Sequence, residues 1–137
     1  MSTKYAEATG EQVETLVLDV EDDLAELSWV RRWARSALHD LSEADLADAI
    51  MVLDELASNA LRHGTPPRQV RLLRRTGWLR IEVDDSCRDP ACPRPPSETG
   101  GRGLALVEHC TIAWGQDQRP TGKTVWAEIV SAAQPAE

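Results

Sequence analysis

Glu55 and Asn59 stand four residues apart in a stretch, 53–64, whose apolar residues recur at helical spacing. At about 100° per residue, both side chains lie on one flank of an amphipathic helix, displaced by about 6 Å along its axis. A carboxylate can accept a proton and an amide oxygen can ligate a hard cation, so together they could act on one phosphate group. The same spacing also occurs on solvated helix edges, where it gives only a weak hydrogen bond. Other segments of the chain must decide between these two interpretations.

Asp85 is placed at the end of a strand-like run over 78–85. Leu79, Ile81 and Val83 share one face under two-residue alternation, and Asp85 is the next residue on that face. A carboxylate on the apolar face of a sheet needs a hydrogen-bond donor, and the exocyclic amine of a nucleobase is one candidate. If the strand ends one residue earlier, Asp85 merely starts a turn.

A glycine-rich segment supplies a candidate anion site. Gly100, Gly101, Arg102 and Gly103 precede a helical pattern over 103–110. Backbone N–H groups at the start of a helix bind phosphate readily, and glycine lets the phosphate approach closely. The end of a flexible loop has the same composition, so the segment is an anion site only if other motifs support it.

Periodicity and turn residues predict one domain over residues 13–131, flanked by polar tails at 1–12 and 132–137. The predicted elements are a strand at 15–20, a helix at 24–41, a helix from the Ser42 capping box to Gly64, strands at 68–74 and 78–85, a loop at 86–102, a short helix at 103–110, and strands at 111–114 and 124–130. Their order predicts an α/β (α+β) two-layer sandwich, with helices on one face of a mixed, mostly antiparallel sheet.

Composition limits the classes of partner and the cellular location that we expect for the protein. The net charge of −8 excludes nucleic acid as a direct partner, because phosphate backbones select positive surfaces. Arginines concentrated at 68–80 are interpreted as a solvated strand face, with a partner surface as the alternative. No apolar run approaches the ~20 residues that cross a bilayer, so no membrane contact is expected. Three cysteines without Cys-x-x-Cys spacing, and no export signal at the start, predict a reducing cytoplasmic location.

Taken together, four segments resemble the GHKL superfamily of histidine-kinase-like ATPases, and most closely its small anti-sigma-factor or serine-protein-kinase-like branch of actinobacterial type. Residues 53–64 resemble the family's N box, and 81–85 its strand with an adenine-reading Asp. Residues 100–107 resemble its second glycine box, and 122–128 its final strand. The likeness runs in order from about residue 15 to 130.

The resemblance implies a Bergerat-type ATP-binding fold with ATP and Mg²⁺ as cofactors. It implies that Asn59 ligates Mg²⁺ and that Glu55 orients or deprotonates the attacking hydroxyl. The other residues that it brings to the nucleotide are Asp85 at the adenine amino group, Gly101, Arg102 and Gly103 at the phosphates, His63 near the phosphates or as a helix cap, and more weakly Thr124 and Lys123.

Two functions follow from the resemblance. The first is a cytoplasmic regulator that phosphorylates a Ser or Thr on an anti-sigma-factor antagonist protein and sequesters a sigma factor; Glu55 beside Asn59 favours it. The second is a nucleotide-gated protein-binding module without phosphotransfer, and a silent fold with an empty pocket is a third alternative. The second is favoured by residues 85–89, Asp-Ser-Cys-Arg-Asp, which lack the glycines usual after the family's Asp. A homodimer formed through the strand at 15–20 is left open.

Overall fold

In the computed structural model, which describes residues 12–87 and 107–130, five strands form one sheet in the order β1-β2-β3-β5-β4. The elements in chain order are β1 (Glu14–Val20), α1 (Glu26–Ala37), α2 (Glu43–His63), β2 (Arg68–Arg75), β3 (Trp78–Asp85), β4 (Ala113–Arg119) and β5 (Gly122–Val130). Residues 107–110 are also helical. Apolar residues of both long helices and of one sheet face form the core. The α/β sandwich predicted from the sequence is confirmed, and every neighbouring pair among the described strands is antiparallel.

The predicted bounds hold best where a turn or cap fixes them. β3 and its turn at Thr76-Gly77 are as predicted, with Gly77 at φ 73°, a conformation that favours glycine. α1 is shorter than the predicted helix at 24–41. The strand predicted at 111–114 is wrong in its bounds, since β4 starts at Ala113 and continues to Arg119. Residues such as Gly115 have low strand propensity, and here pairing with β5 overrides it.

Helix α2 is capped at both ends by specific contacts. Its N-cap hydroxyl, Ser42 Oγ, accepts a hydrogen bond from Asp45 N at 3.1 Å, as the capping box predicts. At the other end Arg68 donates from Nε to Ala60 O at 2.7 Å and from Nη2 to Gly64 O at 3.0 Å. Arg68 is only 4% exposed. The prediction of a solvated arginine face is therefore wrong at Arg68, which binds carbonyl groups at the end of α2.

Replacing Arg68 with Met is expected to lower the free energy of unfolding by about 3 kcal/mol, because buried carbonyl groups lose charged donors. Asp22, which accepts from Arg68 at 2.7 Å, has a side chain 65% exposed. The control Asp22→Ala should therefore cost less than about 1 kcal/mol. Urea denaturation measures both, and equal losses would contradict the assigned role of Arg68.

The face of the sheet opposite the helices carries a ladder of ion pairs. Arg71 contacts Glu82 at 2.8 Å and Asp84 at 2.7 Å. Arg80 in turn contacts Glu82 and Glu128, both at 2.7 Å. Burial alone would raise the pKa of Asp84, but hydrogen bonds from Arg71 and from a β5 hydroxyl hold it below its ordinary value. The charges therefore stay paired on a half-buried surface.

This depressed pKa predicts an acid-dependent stability. The unfolded chain binds the proton first, so the contribution of Asp84 is complete above an unfolded pKa of about 3.9 and is lost as the pH falls below it through the folded pKa. Asp84→Asn should flatten the dependence of unfolding free energy on pH in that acid range. Urea denaturation from pH 7 down to pH ~2.5 tests this. An unchanged slope in the variant would contradict it.

Candidate functional site

A small cavity lies where α2 faces β3 and β5. Its polar lining comes from Asn59 and His63 on α2, Asp85 on β3 and Lys123 on β5. Its apolar lining residues are Leu56, Ala60, Val83 and Val125. The cavity volume is about 10 Å³, which is room for about one water molecule.

Glu55 and Asn59 are joined on α2 as the helical spacing predicts. Asn59 Nδ2 donates to Glu55 Oε2 at 3.1 Å, which leaves the amide oxygen free to face elsewhere. Asn59 is 4% exposed, and its Oδ1 has no hydrogen-bond partner among the described residues. A buried acceptor without a partner costs about 1–3 kcal/mol. Such an oxygen suits a cation or another ligand group that the fold is built to receive.

His63 supplies a second unpaired atom in the same lining. Four buried side-chain atoms lack partners within the described ranges, and two of them, Asn59 Oδ1 and His63 Nε2, belong to residues that line this one cavity. Buried polar groups are normally hydrogen-bonded, so two orphans in one small cavity mark it as a binding site. His63 thus lines the same cavity as Asn59.

Asp85 points inward, and β3 extends through it. The alternative that Asp85 only starts a turn is wrong, because Asp85 is paired in register with Lys123 of β5 and is 3% exposed. Its Oδ1 accepts from Cys87 N at 2.9 Å. A Cβ added to Gly64 would lie 2.5 Å from Asp85 Cγ. The glycine after α2 thus lets the helix end approach the carboxylate closely.

Lys123 is the site residue that the sequence underrated. Its Nζ lies 2.8 Å from Asp85 Oδ2 and 3.1 Å from Oδ1, with both side chains buried. Thr124, the other weaker candidate of the resemblance, is on the other face of β5, where its hydroxyl donates to Asp84 Oδ1 at 2.6 Å. The structure therefore does not bring Thr124 to the cavity. Two-residue alternation back from Val125 would have identified Lys123 instead.

The predicted phosphate-binding segment, Gly101, Arg102 and Gly103, lies outside the described residues. The structure places Asp85, the candidate adenine-binding residue, and Asn59, the candidate metal ligand, around one cavity. The glycine segment stays a prediction from the sequence.

A second, larger cleft of about 950 Å³ lies near the start of α2. Its lining includes Asp45, which is about 20 Å along the helix from Asn59. Its charged groups include an ion pair of 2.6 Å between Arg74 and Asp40. We assign the functional site to the smaller cavity, because its lining holds Asn59, His63 and Asp85 and includes two polar atoms without partners in the described part of the chain.

One of the two described cysteines differs from the expected reduced state. Cys87 is disulfide-bonded in the structure, whereas Cys110 is a free thiol. Burial raises the pKa of the Cys110 thiol, and the nearby Asp48 carboxylate adds to the shift. Cys110 is therefore a poor nucleophile at neutral pH. Within 12–87 and 107–130, no helix is both long and apolar enough to cross a membrane.

The fold is similar to that of a solved structure. Among solved structures, the chain is similar to the RsbU and RsbW domains of Rv1364c from Mycobacterium tuberculosis, with 19% identity and a TM-score of 0.63. That match covers 85% of this chain and 32% of the other, so the chain spans about a third of that protein's length. A match to the Acinetobacter baumannii histidine kinase AdeS has 11% identity and a TM-score of 0.49, covering 94% of this chain and 73% of the other.

A comparison with curated proteins found no match. The family model for the histidine kinase-like ATPase domain matches residues 20–129, a span that includes Glu55, Asn59, Asp85 and Lys123. Because this span is most of the 137 residues, the chain belongs to the histidine kinase-like ATPase domain family.

Proposed function

We propose that the protein binds Mg-ATP at the Asn59 cavity and transfers a phosphoryl group to a Ser or Thr of an anti-sigma-factor antagonist, while also sequestering a sigma factor. The observation that carries the nucleotide part is the buried Asn59 Oδ1, which lies beside Glu55 and has no hydrogen-bond partner among the described residues. Membership of an ATPase-domain family supports it. The regulatory part rests on the resemblance of residues 53–64 and 100–107 to the anti-sigma-factor branch.

The donor set fits the proposed cofactors. Mg²⁺ takes oxygen ligands, and Asn59 Oδ1 is a buried oxygen that no described residue engages. Glu55 accepts from the amide nitrogen of Asn59, which fixes the amide so that its oxygen is the atom available for the metal. The bound metal would neutralise phosphate charge. Glu55 would orient the attacking hydroxyl and accept its proton.

Other residues are assigned to the adenine and to the phosphates. Asp85 would accept from the adenine amino group against the apolar wall of Leu56, Val83 and Val125. His63 would direct toward the phosphates its Nε2, which has no partner within 12–87 and 107–130. Gly101, Arg102 and Gly103 would complete phosphate binding, although their segment is outside the described residues. The cavity must widen before a nucleotide fits, since its present volume is about 10 Å³.

Glu55→Gln is expected to lower phosphotransfer at least about 100-fold, because it removes the proton acceptor. Labelled Mg-ATP and candidate antagonist proteins provide the assay, with nucleotide affinity measured in parallel. The matched control is Asp54→Asn, on the same helix, whose carboxylate contacts Arg31 at 2.8 Å. Transfer that survives Glu55→Gln undiminished would contradict the role of Glu55. ATP binding by the parent without transfer to any candidate would favour the nucleotide-gated module instead.

A cytoplasmic location and a homodimer are part of the same proposal. A protein that binds a sigma factor must be in the same compartment as the sigma factor.

The proposed homodimer would form through β1. This strand lies at the edge of the sheet, and its residue Val17 is 51% exposed. Pairing of two β1 strands would cover this edge. Sedimentation of the parent and of Val17→Lys measures the association.

A further inference from the structure

The structure holds a buried cation, Lys123, next to the proposed adenine site. The side chains of Lys123 and Asp85 are 6% and 3% exposed. Removing two charges from water is costly, and an apolar pair of similar volume often stabilises a fold as well or better. The pair is therefore explained better by recognition of a ligand than by stability.

Counting donors and acceptors shows what the pair can still bind. An ionised carboxylate has about four lone-pair sites and an ammonium group has three N–H donors. Asp85 Oδ1 accepts from Cys87 N at 2.9 Å and from Lys123 Nζ at 3.1 Å, and Oδ2 accepts from Nζ at 2.8 Å. Among the described residues, one acceptor site on Oδ2 and one N–H of Nζ are left over. The pair thus presents a free acceptor beside a free donor.

Adenine carries the complementary pattern on one edge, with the N6 amino donor beside the N1 acceptor. We propose that Lys123 determines base specificity by donating to adenine N1 while Asp85 accepts from the N6 amino group. This inference rests on the proposed function, since it concerns the same nucleotide site. In the same orientation guanine places its O6 acceptor against Asp85 and its N1–H against Lys123, so both contacts become repulsive.

Adenine is expected to share the Asp85 carboxylate with Lys123 rather than to displace Lys123 from it. Charge-assisted hydrogen bonds are about twice as strong as neutral ones, so an adenine amino group is a poor replacement for the ammonium. Displacement would also separate two charges that are both buried in the lining of the cavity. A base that uses the free sites keeps the ion pair and adds two hydrogen bonds.

The test compares nucleotides that differ by one ring atom. Calorimetric titration in Mg²⁺ should show that 1-deaza-ATP binds the parent protein at least about tenfold more weakly than ATP, because it lacks the acceptor for a charged donor. The control 7-deaza-ATP keeps N1 and should bind within about twofold of ATP. Equal affinities for ATP and 1-deaza-ATP would overturn the proposal.

Two variants test whether Lys123 causes the weaker binding of 1-deaza-ATP. In Lys123→Met, checked for folding by circular dichroism, ATP and 1-deaza-ATP should bind equally. Lys123→Gln keeps a neutral donor, so the 1-deaza penalty should shrink to about threefold. A penalty that persists undiminished in either folded variant would overturn the proposal. If the parent binds none of the three nucleotides, the proposed function itself fails, which differs visibly from binding all three equally.

Discussion

Asn59→Ala is expected to weaken Mg²⁺-dependent ATP binding at least about 100-fold while changing the free energy of unfolding by less than about 1 kcal/mol. The two effects have one cause. Asn59 Oδ1 is buried without a partner among the described residues, so the folded protein gains nothing from that oxygen until a ligand binds it. The variant loses the hydrogen bond to Glu55 at 3.1 Å but is relieved of the unpaired oxygen.

The matched control for Asn59→Ala is Ser58→Ala on the same helix. Ser58 is also buried, at 4% exposure, and its hydroxyl donates to Glu55 O at 3.2 Å, but it does not line the cavity. ATP affinity should therefore be retained in Ser58→Ala. Calorimetry with Mg²⁺ and with EDTA, together with urea denaturation, measures both properties. If the two variants bound ATP alike, Asn59 would not be the metal ligand.

Gly64→Ala is expected to lower both stability and nucleotide affinity. The added Cβ would lie 2.5 Å from Asp85 Cγ, 2.6 Å from Asp85 Oδ2 and 2.7 Å from Ala60 O. Either the carboxylate or the end of α2 must move, and overpacking of this kind costs about 1–3 kcal/mol. Displacing Asp85 removes the proposed adenine contact, so ATP affinity should fall about tenfold or more.

Gly115→Ala serves as the control for Gly64→Ala. Its Cβ would meet the Trp126 ring at 2.9 Å, on the sheet face opposite the helices. It should reduce stability by a similar amount, about 1–3 kcal/mol, and leave ATP affinity within about twofold. Denaturation curves and calorimetry on both variants separate the effects. Equal losses of ATP affinity would mean that Gly64 acts only through stability.

Local periodicity was sufficient for the residues on α2 and β3. Helical spacing identified Glu55 and Asn59 as neighbours, and two-residue alternation placed Asp85 on the inner face with Val83. Each of these features depends only on residues within one helix or one strand, so it can be predicted from a single sequence. The Ser42 cap was predictable for the same reason.

Contacts between distant segments were not predictable in this way. Lys123 faces Asp85 only because β5 pairs with β3, although β4 separates them in the chain. Arg68 is buried only because the end of α2 offers it carbonyl groups. From the sequence, Arg68 is a polar residue of a predicted strand and Lys123 is a polar residue just before one, and the partners of both are not evident. Thr124 was misplaced for a different reason, because motif resemblance does not specify which strand face a residue occupies.

The most direct test of the central claim is a co-crystal structure with Mg²⁺ and a non-hydrolysable ATP analogue. We expect one nucleotide between α2 and β3, with Asn59 Oδ1 on the metal and the adenine amino group on Asp85. A nucleotide bound instead in the larger cleft beside Arg74, with Asn59 and Asp85 touching no ligand atom, would contradict it.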